Sequence, residues 1–146
     1  MLGFVLLSGC ATLTQENIGT KGLPLCQTNE LCPLMTVSWN DQKKDNFNVK
    51  VSLDTLYHYY DIQKVVFSND IKNLSFNVIG PTEIDFIFKA NRSRNSIIVP
   101  INMMTEFQGS QNVFMKIYTD QGVIKRYIVK DNVKAPVFED FTKYYK

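Results

Sequence analysis

A chain of 146 residues with 16 Lys and Arg against 14 Asp and Glu has a net charge of +2, too little for a general attraction to nucleic acid or acidic lipid. Apolar residues make up 45% and charged residues 21%. These are ordinary globular proportions, which exclude a disordered or low-complexity chain and suffice for the core of one small domain.

In chain order, the first feature is an apolar segment, Leu2 and Phe4 to Leu7, followed by the small residues Ser8 and Gly9 and then Cys10. The order Leu7-Ser8-Gly9-Cys10 resembles the lipobox of bacterial lipoproteins, and the resemblance covers the first ten residues. It implies that residues 1–9 are the remnant of a cleaved signal, that the Cys10 thiol carries a diacylglycerol, and that the new amino terminus is acylated. Buried acyl chains contribute roughly 0.8 kcal/mol per methylene, and more than one chain anchors stably. A secretory signal usually spans about 15–30 residues with a basic start. Nothing basic precedes Cys10, so the true start is expected upstream. The apolar run is far below the roughly 20 residues that span a bilayer. Ala11 stands where lipoproteins kept at the inner membrane usually show Asp, which by family analogy implies the outer membrane of a Gram-negative cell, facing the periplasm, with the inner membrane and the cell surface as the alternatives. The alternative for residues 2–10 is an ordinary buried strand with a core thiol.

With Cys10 taken by lipid, Cys26 and Cys32 remain, and an even pair in an exported protein reads as a disulfide. Closing so short a loop is worth about 2–2.5 kcal/mol in chain entropy. The spacing is not that of a thioredoxin motif, and no further Cys or nearby His supplies a zinc shell. Residues 10–33, with Gly19, Gly22, Pro24 and Pro33, read as a tether. Leu23, Leu25, Leu31 and Leu34 suggest that its second half packs onto the domain, which is expected over 34–146.

From Met35 the pattern is β. Met35, Val37 and Trp39 alternate; Phe47 to Leu53 alternates without error, apolar Phe47, Val49, Val51 and Leu53 against polar Asn48, Lys50 and Ser52. Ile62 to Phe67 reads as a strand covered on both sides. Leu74, Phe76 and Val78 form one apolar face, and Ile84, Phe86 and Phe88 another, with Asp85 outward and Ile87 breaking the alternation. Ile97 to Val99 is a strand that Pro100 ends or places at an edge. Asn102 is expected to cap a short helix over 102–108 carrying Met103, Met104 and Phe107, stopped by Gly109. Val113 to Tyr118 and Val123 to Val129 flank the turn Thr119-Asp120-Gln121-Gly122. Pro136 to Lys146 suits a helical turn or a final edge strand. About eight strands at roughly ten-residue spacing predict an antiparallel β-sandwich, Ig-like, or a small barrel, and not an α/β fold.

Chemistry-bearing motifs are sparse. His58 is the single histidine, and neither G-x-S-x-G nor H-E-x-x-H occurs. Carboxylates are scattered, and Asp41-x3-Asp45 lacks the alternating ligands and Gly of a calcium loop. No catalytic residue, metal or cofactor is expected. Tyr57-His58-Tyr59-Tyr60 crowd between two strands, either covering the core edge or forming a contact surface, since Tyr joins apolar area to a hydrogen-bonding tip. Lys89, Arg92 and Arg94 read as a basic loop between Phe88 and Ile97, either a solvated turn or a contact for an anionic head group or glycan. The expected function is binding, with Tyr57, His58, Tyr59, Tyr60, Arg92 and Arg94 as candidate contacts. The expected partners are the membrane, through lipid on Cys10, and an envelope protein, with no nucleic acid. A periplasmic enzyme inhibitor or immunity protein is the second reading, and a small-molecule binder or hydrolase the third.

Overall fold

The computed structural model describes residues 17–145, so Cys10 and the lipobox lie outside the described residues, as do the side chains of Asn17 and Met104. The elements in chain order are β1 (Asn17–Gly22), β2 (Leu34–Asn40), β3 (Asn46–Thr55), β4 (Ile62–Ser68), β5 (Asn73–Asn77), β6 (Glu83–Ile87), β7 (Ala90–Pro100), α1 (Met103–Glu106), β8 (Val113–Thr119), β9 (Gly122–Lys130), β10 (Val133–Lys134) and α2 (Pro136–Tyr144). They form two five-stranded antiparallel sheets, β1-β2-β3-β7-β6 and β10-β9-β8-β4-β5. The sheets do not close on each other, so the architecture is a sandwich and not a barrel. Lettering β2 to β9 as A, B, C, C′, D, E, F and G gives the sheets A-B-E-D and C′-C-F-G, the Greek-key order of immunoglobulin-like domains.

The alternation of β3 sets the core. Phe47, Val49, Val51 and Leu53 are all buried. In register they stand beside Met35 and Val37 of β2 and Ile97 and Val99 of β7. From the other sheet Val65, Phe67, Met115 and Ile117 face them and are equally buried. A one-residue slip of β3 would turn its whole apolar set to water, so burial fixes the register. The outer face of the second sheet carries Phe114, Tyr118 and Tyr127 under lysines: Lys125 Nζ lies 4.1 Å from the Phe114 ring centre, and Lys64 Nζ lies 4.6 Å from that of Tyr118.

Several expectations are corrected. Residues 17–22, read as tether, form β1 and pair along their whole length with β2. The glycines there serve close approach and not flexibility. A Cβ on Gly19 would lie 3.0 Å from the Val37 carbonyl oxygen, and one on Gly22 would lie 3.0 Å from the backbone of Val137 in α2. Asn102 precedes α1, but its side chain makes no capping bond; its carbonyl instead accepts the Thr105 hydroxyl at 2.7 Å. The segment holding Arg92 and Arg94 is not a loop but lies within β7. Phe88 belongs to no strand face; it sits in the turn between β6 and β7. Ile84 and Phe86 do share the inner side of β6, but they are exposed. β6 is the edge strand, and the second sheet packs over β7 instead.

The C-terminal segment is helical. Pro136 occupies the first turn of α2, where its missing N–H costs nothing. Val137 and Phe141 are its buried residues. Phe141 meets Trp39 edge-on at 5.4 Å and Phe47 at 5.0 Å between ring centres, which docks α2 on the first sheet.

Candidate binding surface

The strands define two ends of the sandwich. At one end lie Asn17, paired with Asn40, and Asn46, paired with Pro100. At the other end Thr55 pairs with Asn91, and Asn91 with Phe86, just before the β6–β7 turn. The 11 residues of β7 separate these ends by about 30–35 Å at the usual strand rise.

The far end gathers apolar side chains in water. Leu56 is 69% exposed, Tyr57 86%, Phe86 66% and Phe88 93%, and Ile84 is also exposed. Exposed apolar groups scattered singly need no explanation, but several brought to one end of a fold mark a contact surface. The local geometry holds them there. The Thr55 hydroxyl donates to the His58 carbonyl at 3.1 Å and accepts from the Tyr57 N–H at 3.2 Å, which turns the chain sharply after β3. The Tyr60 N–H then donates to the Ser93 hydroxyl at 2.8 Å, so this loop roofs the buried Ser93. The His58 and Tyr60 rings meet at 4.7 Å. One step on, the Asp61 N–H donates to the Asp120 carboxylate at 2.8 Å and the Asp120 N–H to the Asp61 carbonyl at 3.2 Å, which ties this loop to the β8–β9 turn.

The β6–β7 turn is the most unusual part. Ile87 pairs with Ala90 across two residues, Phe88 and Lys89, whose φ angles are 52° and 64°. Both positions are left-handed, as in the hairpin turns that favour Asn-Gly. The β9–β10 turn has the same form with Asp131 and Asn132 (φ 52° and 67°), residue types that tolerate it. A Phe in that conformation is strained, and such strain concentrates at functional positions.

The predicted contact residues therefore separate. Tyr57 and His58 are exposed at the far end, with Tyr59 and Tyr60 half-buried beneath them. Arg92 and Arg94 point from β7 to the outer face of the first sheet, and both are occupied. Arg92 donates to both oxygens of Asp54, each at 2.8 Å. This bidentate bond holds the Asp54 carboxyl below its ordinary value. Arg94 Nη2 lies 2.8 Å from Asp85, and its Nε 3.7 Å from Glu83. The head-group reading of this pair loses its free charge to those carboxylates. Sequence reasoning missed Ile84, Phe86 and Phe88 as surface residues because their alternation reads as a core face. The positive-φ turn left no Gly or Asn to signal it.

The cysteine pair is bridged: Cys26 and Cys32 form a disulfide with 5.8 Å between Cα atoms, an ordinary span. Among the described residues no three His, Cys, Asp or Glu come together as a metal site, and no helix is long and apolar enough to cross a membrane. No protein-family model, curated protein or solved structure matches the chain.

Proposed function

We propose that the chain is an envelope lipoprotein, held to the membrane through Cys10, that works by binding a partner protein with the end of the sandwich bearing Phe88. The supporting observation is placement. The exposed cluster of Leu56, Tyr57, Phe86 and Phe88 lies at the end of the sheet opposite the start of β1. A tether entering at β1 lifts this cluster away from the bilayer, toward the periplasm, where a protein and not lipid is the available surface. The complementary partner presents an apolar pocket for Phe88. Aromatic anchors seated in desolvated pockets carry most of the binding energy in such interfaces. A single aromatic side chain raised on a tight turn also suits insertion into an enzyme cleft, the inhibitor form of the same reading.

A photo-crosslinking residue at position 88, with position 50 on the outer face of β3 as control, tests this in intact cells. The expected result is a discrete protein adduct from position 88 that disappears with Tyr57→Ala, and none from position 50. Equal adducts from both positions, or adducts to lipid alone, overturn it. Cys10→Ser is expected to release the protein from membranes, and unchanged fatty-acid labelling of that variant overturns the anchor.

A further inference from the structure

We infer that the sandwich holds a binding site for a single long-chain fatty acid, at the end opposite Phe88. A cavity of about 640 Å³ opens between the sheets there. Met35, Val37 and Phe47 line it from one sheet, Phe67 and Val129 from the other, and Phe138 of α2 closes it. Protein interiors pack to crystal-like density and leave few voids larger than a water molecule. A cavity of this size falls among small-molecule sites, which run to about 300–1,000 Å³ with apolar walls and a few placed polar groups.

The distribution of polar groups sets the ligand. The interior wall is aliphatic and aromatic, so the buried part of the ligand carries no group that needs a hydrogen bond. Polar side chains collect in the segments at its rim: Gln108, Ser110, Asn132, Lys134 and Thr142. Lys134 is the one charged residue of the lining. Its Nζ stands 5.7 Å from the Phe138 ring centre, and no carboxylate pairs with it among the described ion pairs. A largely apolar, half-open cavity with one cation in its lining complements a hydrocarbon chain ending in a carboxylate. This inference stands apart from the partner surface, which lies at the other end of β7.

Trp39 provides the readout. It is the single tryptophan of the chain, and its ring lies 6.4 Å from Phe47 and 5.4 Å from Phe141, both in the cavity wall. The full chain carrying Cys10→Ser, which has no thioether lipid of its own, is titrated with the fluorescent polyene cis-parinaric acid and, separately, with its methyl ester. Saturable one-to-one binding with quenching of Trp39 emission, reversed by palmitate, is expected. Val37→Phe directs a larger side chain into the cavity and should abolish binding while the thermal midpoint holds or rises. Lys134→Glu should weaken the acid about tenfold, or about 1.4 kcal/mol, and leave the ester unchanged. Absence of saturable binding to the folded protein, or undiminished binding by Val37→Phe, overturns the site. An equal effect of Lys134→Glu on acid and ester overturns the carboxylate assignment.

Discussion

Arg126 reaches from β9 to the carbonyl oxygen of Leu31, donating from Nε at 2.9 Å and from Nη2 at 2.6 Å. Its Nη1 also lies 3.1 Å from Glu30, and the side chain is nearly buried. Beside it the Leu25 N–H donates to the Tyr127 carbonyl at 2.8 Å. The disulfide loop is thus pinned to the second sheet while the strands on either side of it, β1 and β2, belong to the first. One arginine joins the two layers along their open flank.

Arg126→Met keeps most of the apolar stem and removes these contacts together with the Nη1 donation to the Lys125 carbonyl at 2.6 Å. Leaving the Leu31 carbonyl without its donors should lower stability by roughly 1–3 kcal/mol. Glu30→Gln, at the more exposed side of the same cluster, should cost at most about 1 kcal/mol. Urea unfolding of the two variants measures the difference, and limited proteolysis should cut first between residues 23 and 33 in Arg126→Met. Equal losses in the two variants would mean that the ion pair, and not the carbonyl clamp, holds the loop.

The register of β3 makes an opposed pair. Val51 is buried between Met35 and Asn95, whereas Lys50 stands outward between Thr36 and Ser96. Val51→Asp places an unpaired charge in the core and should cost more than about 4 kcal/mol, enough to threaten folding. Lys50→Asp should fall within about 0.5 kcal/mol of the parent. Thermal unfolding checks both, and equal midpoints would refute the register.

The comparison of β3 with β6 says what a sequence can disclose here. Both alternate, and Ile84 and Phe86 share one side of β6 just as the four apolar residues of β3 share one side of theirs. Periodicity reports which side chains lie together; it carries no information on whether another layer covers them. That depends on the width of the opposing sheet, set by strands far along the chain. The same non-locality hid the state of Arg92, whose partner Asp54 lies 38 residues away. It also hid the role of Gly22, whose neighbour is Val137. The disulfide, the β8–β9 turn and α2 were legible because each rests on residues within a few positions of one another. Within Tyr57–Tyr60 the clustered hydroxyls argue against full burial of every ring, and Tyr57 is exposed while Tyr59 and Tyr60 are half-buried. Phe88, its larger companion, became visible only with the backbone.

The Asp54–Arg92 pair predicts a pH dependence with a definite sign. Its hydrogen bonds from Arg92 depress the folded-state pKa of Asp54. Its contribution is therefore complete above the unfolded-state value, near 3.9, and is lost as pH falls through the folded value. The Asp54 side chain is 42% exposed, so solvent screening limits the contribution to below about 1 kcal/mol. Asp54→Asn should accordingly be slightly less stable than the parent at neutral pH. The gap between the two unfolding curves should narrow as pH falls below the unfolded-state value and close at a pH below the depressed folded value. A gap that persists undiminished at that pH would assign the loss to packing instead of charge.

The β6–β7 turn sets stability against contact. Phe88 and Lys89 both adopt left-handed φ, a conformation that costs most L-residues roughly 1–2 kcal/mol each. Asn-Gly is the pair that this turn form prefers. The double change Phe88→Asn and Lys89→Gly should therefore raise the stability of the domain by about 1–2 kcal/mol, read as a higher denaturant midpoint with an unchanged slope. The same change removes the most exposed aromatic ring of the far end. Crosslinking to the partner from a photo-reactive residue at position 57 should fall sharply, although the loop after β3 keeps its own hydrogen bonds to Thr55. A more stable variant with lost crosslinking is the outcome expected of a turn kept strained for contact. If stability does not rise, the turn is not strained as its angles imply. If stability rises and crosslinking from position 57 is undiminished, Phe88 is not the anchor.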